Sequence, residues 1–409
     1  MVFSLTPRPA NPVGCADLLL STPGGNVFAR IYYPARPAGW LTSLLWRRHA
    51  AAPAWLPHPR SLDGFLSFVS SNLDTGLRIR PQGPLVSFLR RWLTSLAGGV
   101  FYALARLPAV WHAQPAPGPP LPVVLFSHGL GGNRNAYSGH VLELAQHGSL
   151  VVCVEHSDGT SSLTHSFDNG RPGAWRYYEG CGLPGQRHTR IAHRVDELAA
   201  LADVFCALAA GSQLPHSPRL LGSRQPLLQQ LSGRVDTSRL AVVGHSAGGA
   251  TVLAFARRDA RVHRCVAHDP WLPALVGGPA LAVGGAPWTH RCSVLVTLCE
   301  AWMRNSNHNP DLLRAALAAI RAGGGVAECA GLKGCDHHVF SDTPLLAPGS
   351  RRTAALQAQQ RIFAAAQAWL RADEAQLHQG GGDAVRALLG PSLFLPLDVP
   401  HGEEKPPRG

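Results

Sequence analysis

Short apolar runs rich in β-branched residues alternate along the chain with longer stretches of helical spacing. Six runs have the length and composition of buried strands: LPVVLFS (121–127), LVVCVE (150–155), LAVVG (240–244), CVAHD (265–269), SVLVTLC (293–299) and AECAGLKG (327–334). Turn residues bound these runs, as is usual for strands. Because most of the runs are apolar throughout, they predict strands that are covered on both faces of a sheet.

The stretches between these runs predict helices. Residues 187–210 repeat apolar side chains at helical spacing, and so do residues 351–371. Further helices are predicted for YSGHVLELAQHG and for PDLLRAALAAIRAGGG, where glycines end the helix. Residues 14–34 predict two strands joined at PGG (23–25). This order of elements indicates an α/β class, with a mostly parallel central sheet and helices on both faces.

Three segments lack this alternation. Residues 35–84 are irregular and rich in Pro, Trp and Arg, whereas 85–111 predicts an amphipathic or buried helix with a weak point at Gly98-Gly99. The sequence after Gly380 predicts a loosely ordered end. We therefore divide the chain into an N-terminal tail (1–12), a single α/β domain (13–372) in which 35–120 is an irregular insertion, and a loosely ordered C-terminal extension (373–409).

Composition excludes several classes of protein. The chain has 409 residues and 45% of them are hydrophobic, which is enough for a buried core and excludes a disordered protein. Its 43 Gly and 34 Pro show no collagen period and predict long loops. The formal charge of +12 favours anionic partners. Without a Lys/Arg run, zinc-finger spacing or an aromatic–Gly RNA signature, nucleic acid is not the expected partner.

The sequence also bears on location. Nine cysteines at irregular spacing include no C-x-x-C, which favours free thiols and a reducing compartment. The first residues lack a basic region followed by an apolar one, so no signal peptide is predicted. No uncharged apolar run reaches the roughly 18 residues that span a bilayer. We expect a cytoplasmic protein, with peripheral membrane contact as a further candidate.

The strongest chemical motif is GHSAG (244–248), which lies between the strand LAVV and the helical sequence ATVLAFARR. G-x-S-x-G between a strand and a helix forms a nucleophile elbow, in which a tight turn lifts the serine above the sheet. The turn needs small neighbours, and Gly244 and Gly248 meet that need. A glycine-rich chain can contain this motif by chance, but the flanking elements favour Ser246 as a nucleophile.

A serine nucleophile needs a base, and the base needs a group that orients it. In α/β-hydrolases the chain order is serine, acid, histidine. Asp269 ends the run CVAHD and is the candidate acid, while His337 and His338 follow the last strand run and are the candidate bases. Asp336, His337 and His338 also suit a metal ion, but no further ligand cluster is visible, which favours the acid–base interpretation.

Acyl transfer further needs two backbone N–H donors for the oxyanion. One comes from the residue after the nucleophile, Ala247. The other is expected in HGLGG (128–132), where the N–H of Leu130 is the candidate. Alone, this loop is an ordinary turn between a strand and a helix, but beside the elbow it predicts an oxyanion hole.

Five segments together resemble a known family: FSHGLGGNRNAYS, VEHSDGTSS, VVGHSAGGATV, AHDPW and GCDHHVFSD. Taken in order, with VGCADLL and ARIYYPA near the N-terminus, they resemble the platelet-activating factor acetylhydrolase family from about residue 13 to about residue 370. The resemblance implies an α/β-hydrolase fold and a Ser–Asp–His triad. It also implies calcium-independent release of an sn-2 acetyl, or short or oxidised acyl group, from a phospholipid. The sequence contains neither an EF-hand loop nor H-E-x-x-H, so we expect no metal and no cofactor.

The resemblance also assigns site residues. It makes Ser246 the nucleophile, Asp269 the acid, and Leu130 and Ala247 the oxyanion donors. HHVFSD aligns with the family pattern His-Gln-Asn-Phe-x-Asp, which selects His337 over His338. The chain departs from the family at Ala247, where Phe is common, and at HDP (268–270), which replaces Leu-Asp-Ala. These departures concern substrate preference more than mechanism.

The segment 85–111 has a second interpretation. Trp92, Leu93 and Phe101 are candidate membrane contacts, with arginines at positions 90, 91 and 106 on lipid headgroups. The alternative is a lid or core helix.

Three functions follow as hypotheses. The first is hydrolysis of the sn-2 ester of phospholipids like platelet-activating factor, a 1-alkyl-2-acetylglycerophosphocholine esterase, at a membrane or lipid-particle surface. The second is a general carboxylesterase or lipase on the same fold, because a fold does not fix a substrate. The third is a non-catalytic, hydrolase-like protein that binds lipid, which an intact candidate triad disfavours.

Overall fold

The sequence folds into alternating strands and helices, as its apolar pattern predicts. A computed structural model describes residues 3–37, 52–72, 83–168, 171–180, 184–222, 227–276, 286–305 and 308–395. The strands are β1 (Val13–Thr22), β2 (Gly25–Pro34), β3 (Val110–Trp111), β4 (Leu121–Ser127), β5 (Leu150–Glu155), β6 (Leu163–Asp168), β7 (Arg171–Tyr177), β8 (Arg219–Leu221), β9 (Val235–His245), β10 (Val262–His268), β11 (Ser293–Cys299), β12 (Ala327–Leu332) and β13 (Phe394–Leu395).

The helices connect these strands. They are α1 (Ser61–Asn72), α2 (Gly83–Leu104), α3 (Ser138–Gln146), α4 (Pro184–Ala209), α5 (Leu227–Leu231), α6 (Ala247–Arg258), α7 (Glu300–Met303), α8 (Pro310–Ala322), α9 (Ser350–Arg371) and α10 (Glu374–Leu389). Short 3-10 turns cover Leu272–Leu275, His337–Phe340 and Thr343–Leu346.

One large sheet organises the molecule. Its strand order is β13-β12-β11-β10-β9-β4-β5-β2-β1-β3, with β8 added on β1, while β6 and β7 pair separately. The six central strands from β12 to β5 are mutually parallel, and β13, β2 and β1 join antiparallel at the two sides. The predicted α/β class, with a mostly parallel central sheet and flanking helices, is confirmed.

The burial of the central strands explains their composition. Every residue of β5 and of β11 is buried, because helices cover both faces of the sheet. Parallel strands end at the same edge of a sheet, where α/β proteins bind ligands. The loops that follow β4, β9, β10 and β12 therefore meet at one edge, and they carry the candidate site residues.

The predicted hairpin and the predicted helix of the insertion are both present. β1 and β2 pair from Val13 with Pro34 to Thr22 with Gly25. Helix α2 covers most of the segment 85–111, but Gly98 is not a weak point. A Cβ at Gly98 would lie 2.1 Å from the Pro59 carbonyl oxygen, so the glycine allows close packing of the helix on that segment.

The C-terminal extension is more ordered than we predicted. Residues 374–389 form α10, which is N-capped by Asp373 and buries Leu377, Val385 and Leu389. The glycines of this segment suggested disorder, yet Gly381 packs closely, since a Cβ there would lie 3.3 Å from the Trp369 ring. The prediction of a loosely ordered segment is thus wrong for 374–389, while residues 396–409 lie outside the described part.

The described start of the chain packs on the domain. Leu5 is buried, and Arg352 of α9 donates to the carbonyl oxygens of Ser4 and Leu5 at 3.3 and 2.6 Å. In the described residues, no helix combines the length and the apolar character needed to cross a bilayer.

Candidate active site

Ser246 occupies the tight turn between β9 and α6. Its φ of 58° and ψ of −118° lie in a region that non-glycine residues rarely adopt. The turn is possible because its neighbours are glycines: a Cβ at Gly244 would lie 2.3 Å from the Gly248 carbonyl oxygen, and one at Gly248 would lie 2.1 Å from that of Ser127. The structure thus places GHSAG in the predicted strand–turn–helix context.

Asp269 and His337 come together beside this turn. Asp269 follows β10, is fully buried, and accepts a hydrogen bond from Nδ1 of His337 at 2.9 Å. Two backbone hydrogen bonds tie the strand end to the serine, since Ser246 N–H donates to the His268 carbonyl and Trp271 N–H donates to that of Ser246, both at 2.9 Å.

The geometry separates the two candidate histidines. His337 contacts Asp269, whereas His338 is exposed and its backbone N–H is capped by Asp336 at 2.8 Å. The ring of His337 also lies 4.4 Å from that of His245, the residue before Ser246. The side chain that the family pattern selects is therefore the one that faces the serine turn.

Cys299 is a contact of Asp269 that sequence reasoning missed. At the end of β11, its N–H donates to Oδ1 of Asp269 at 2.7 Å and its thiol to Oδ2 at 2.8 Å. Burial raises the pKa of the Asp269 carboxyl, while the hydrogen bonds from His337 and Cys299 oppose this rise. The sequence predicts Cys299 only as one of nine free thiols, because nothing in the apolar run SVLVTLC indicates a contact with residue 269.

Trp302 was also missed. Its ring stacks on the His337 imidazole, with 4.2 Å between ring centroids and 12° between planes. The short helix α7 presents it, and Cys299 caps this helix by accepting the Trp302 N–H at its sulfur, at 3.3 Å. Cys299 therefore contacts Asp269 directly and holds the aromatic ring that restrains His337.

The loop HGLGG (128–132) abuts the serine. A Cβ on Gly129 would lie 3.2 Å from Cβ of Ser246. The Gly129 N–H is held by the Tyr137 hydroxyl at 3.0 Å, and that hydroxyl lies 2.8 Å from Nδ1 of His245. Within the described part of the chain, the N–H groups of Leu130 and Ala247 have no acceptor. Both predicted oxyanion donors are therefore free to donate to a bound substrate.

Buried polar groups support this loop from behind. The Ser127 hydroxyl lies 2.7 Å from Nε2 of His156, and Nδ1 of His156 lies 2.6 Å from Oε2 of Glu197. Burial holds the pKa of His156 well below its usual range. Arg194 donates to the His128 carbonyl at 2.7 Å and pairs with Asp158 at 2.8 Å.

The three residues that the sequence suggested for a metal ion, Asp336, His337 and His338, do not form one cluster of donor atoms. Among the described residues, the donor atoms close enough for one ion come from His245, Asp269 and His337, all within 4.8 Å of one another. Asp336 and His338 are not part of this group. The Asp269 oxygens already accept hydrogen bonds from Cys299 and His337, an arrangement that suits proton transfer.

The candidate membrane contacts separate into two groups. Trp92 and Leu93 are each more than half exposed on α2. Phe101 instead packs edge-on against Phe3 and Trp55, with 5.7 Å between ring centroids in each case. Phe101 is thus partly buried against the domain, and its contact with a membrane stays a prediction. The side chains of residues 90 and 91 lie outside the described part.

Comparison with solved structures shows the fold. A ferulic acid esterase from Streptomyces cinnamoneus superposes with a TM-score of 0.57 at 17% identity, covering 92% of this chain and 98% of that one. The chain therefore has the predicted α/β-hydrolase fold, with a large, mostly parallel sheet flanked by helices.

Comparison of sequences shows the family. Platelet-activating factor acetylhydrolase from Cavia porcellus is 30% identical over 267 residues, and that from Bos taurus is 26% identical over 269. Each match covers 64% of this chain and 53% of the relative, so the chain spans about half the length of these relatives. A model of the family "Platelet-activating factor acetylhydrolase, isoform II" matches residues 7–277, which include Ser246 and Asp269 but end before His337. On these grounds, the chain belongs to the isoform II family of platelet-activating factor acetylhydrolases.

Proposed function

We propose that this chain is a serine hydrolase that releases the sn-2 acetyl, or another short or oxidised acyl group, from phospholipids like platelet-activating factor. The observation that carries the proposal is the hydrogen bond between His337 and buried Asp269 beside the Ser246 turn. The family and the esterase fold of a structural neighbour support the same class of chemistry.

The reaction proceeds through an acyl-enzyme. Because Nδ1–H of His337 donates to Asp269, Nε2 keeps its lone pair and takes the Ser246 hydroxyl proton as the oxygen attacks the ester carbonyl. A C–O bond forms to the serine, the bond to the lysophospholipid oxygen breaks, and His337 returns the proton to that oxygen. Water then attacks the acyl-enzyme with His337 as base, which releases the acid and the free serine.

Backbone groups stabilise the charge that develops. The N–H groups of Leu130 and Ala247 donate to the oxyanion of the tetrahedral intermediate, a contribution of about 3 kcal/mol for each such donor in related chemistry. Asp269 stays ionised and offsets the positive charge that His337 acquires. Every proton and charge in this sequence is handled by the chain's own groups, so calcium has no step to perform.

This gives a prediction for metal removal. Treatment with EDTA, followed by gel filtration, should leave the rate of ester hydrolysis unchanged, and added calcium should not raise it. The rate of the treated enzyme is measured with a simple p-nitrophenyl ester and with a short-chain phospholipid. A rate lost on chelation and restored by one cation would overturn the metal-free mechanism.

A lipid surface is the proposed setting for the reaction. Trp92, Leu93, Leu96 and Val100 repeat at helical spacing on α2, and each is more than half exposed. We assign a phospholipid surface to this strip because the proposed substrate resides there and because the chain carries a formal charge of +12.

The substrate class is tested by comparing two esters. Purified protein should hydrolyse platelet-activating factor with a kcat/KM at least as high as that for p-nitrophenyl acetate, while Ser246→Ala should lose on the order of a million-fold of both rates. Ser238→Ala, which changes an exposed serine, is the matched control. Hydrolysis of the simple ester alone indicates a general carboxylesterase, and hydrolysis of neither indicates a non-catalytic lipid-binding protein.

A further inference from the structure

One face of α4 presents three arginines to the loops at the carboxyl edge of the sheet. Arg194 donates to the carbonyl of His128, after β4, and Arg190 donates to that of Asp158, after β5, both at 2.7 Å. Arg187, one turn closer to the N-terminus of the helix, lies over the ring of Trp271, after β10, with its guanidinium carbon 5.1 Å from the ring centroid. The three side chains therefore follow the edge that carries the candidate site.

Arg187 is linked to the serine turn through Trp271. The residue under its guanidinium, Trp271, donates its N–H to the Ser246 carbonyl at 2.9 Å. A single residue thus connects the cation to the backbone of the candidate nucleophile. Trp271 is almost fully buried, whereas Arg187 is only partly buried.

Arg187 differs from its neighbours in lacking a polar partner. Arg194 pairs with Asp158 at 2.8 Å, and Arg176 pairs with Glu179 at 3.0 Å. Across the described ranges, no hydrogen-bond acceptor or carboxylate contacts Arg187, and its Nε is shielded from solvent without a partner. The two terminal nitrogens of Arg187 are not shielded in this way and also have no acceptor among the described residues, so they can donate to a ligand.

We infer that Arg187 binds the phosphodiester of the substrate, and this inference rests on the proposed function. The planar guanidinium donates two parallel hydrogen bonds to a phosphate, and stacking on Trp271 holds it in place beforehand. The phosphodiester of a glycerophospholipid lies a few covalent bonds from the sn-2 ester, so one substrate carries both the group that Ser246 would attack and the anion that Arg187 would bind. Arg187 is a substrate-binding residue that distinguishes phospholipids from neutral esters.

The experiment separates anion binding from ester cleavage. The rate of hydrolysis of neutral p-nitrophenyl acetate is measured at increasing concentrations of hexyl methyl phosphate. This phosphodiester contains no carboxylic ester bond, so the enzyme cannot cleave it. We expect competitive inhibition of the wild type and an inhibition constant about 10- to 100-fold higher in Arg187→Gln, each measured against the uninhibited rate of the same protein. The inhibition constant of Arg187→Lys should lie between those of the wild type and Arg187→Gln. Arg190→Gln, which changes an arginine already hydrogen bonded, is the matched control and should retain wild-type inhibition.

Two further measurements identify the anion that Arg187 binds and separate this test from the test of the proposed function. Heptanoate replaces the phosphodiester, and a larger effect of Arg187→Gln on heptanoate would assign the site to the carboxylate of an oxidised acyl chain and overturn the headgroup assignment. Equal phosphodiester inhibition of wild type and Arg187→Gln, or none of either, would overturn the inference. Turnover of platelet-activating factor by wild type is measured separately, and its failure would count against the proposed function, whatever the inhibition shows.

Discussion

Asp269 is the residue on which the geometry of the site converges. Its carboxylate accepts hydrogen bonds from His337 and from both the backbone and the thiol of Cys299, and Oδ2 is shared by His337 and the thiol. Burial raises the pKa of this carboxyl, and the hydrogen bonds from His337 and Cys299 oppose that rise. Cys299 is therefore a positioning residue for the acid of the proposed triad.

This makes Cys299 a testable position. Cys299→Ala removes the thiol hydrogen bond, so the Asp269 carboxylate should take up a proton at a higher pH than in the wild type. We expect the acid limb of the kcat/KM profile to move to higher pH and kcat to fall about 10-fold, the loss of one hydrogen bond to a charged group. Cys299→Ser keeps a donor and should restore most of the wild-type profile. If the kcat/KM profiles of Cys299→Ala and the wild type coincide, Cys299 does not position Asp269.

The two neighbouring histidines give a second residue-scale prediction. His337→Ala should lose on the order of a million-fold in kcat, because the nucleophile then has no base. His338→Ala should keep most activity, since His338 is exposed and does not contact Asp269. Turnover of a p-nitrophenyl ester by the two purified variants decides the assignment, and the reverse order of losses would transfer the role to His338.

At the scale of elements, the buried strands were predictable and their surroundings were not. The bounds of β4, β5 and β11 match the apolar runs, because a strand covered on both faces is apolar throughout. The helix at 374–389 was missed because its order depends on contacts with α9, such as the close approach of Gly381 to Trp369. Local composition carries no record of such contacts.

Helix α2 gives the element-scale prediction. Trp92→Ala combined with Leu93→Ala should reduce co-sedimentation with phosphatidylcholine–phosphatidylserine vesicles, since apolar burial contributes about 25 cal/mol per Å² removed from water. Hydrolysis of a water-soluble ester should stay unchanged. Leu388→Ala, which removes an exposed leucine from α10, is the control and should sediment like the wild type.

The opposite face of α2 provides the contrast. Phe101→Ala removes packing against Phe3 and Trp55, so it should lower the free energy of unfolding by about 2 kcal/mol. Urea denaturation measures this change. If the double variant at Trp92 and Leu93 loses as much stability and activity as Phe101→Ala, with vesicle binding intact, the strip is core packing instead of a lipid contact.

For the whole molecule, the parallel sheet explains why three site residues that span 92 positions of the chain could be located from sequence. The motif around Ser246 is local, and Asp269 and His337 follow later strands that end at the same edge, so chain order and topology point to all three. Tyr137, Cys299 and Trp302 reach the same site through tertiary contacts with residues far along the chain. No pattern in their own segments predicts those contacts.

The central claim is that Ser246 is a nucleophile activated by His337 and Asp269. A fluorophosphonate probe reacts with such serines and transfers its phosphonyl group to the oxygen, so peptide mapping of the labelled protein tests the claim directly. We predict one adduct, on the peptide that contains Ser246, with stoichiometric loss of esterase activity. Labelling should be absent in Ser246→Ala and strongly slowed in His337→Ala. An active enzyme that stays unlabelled, or an adduct on another residue that accounts for the loss of activity, would contradict it.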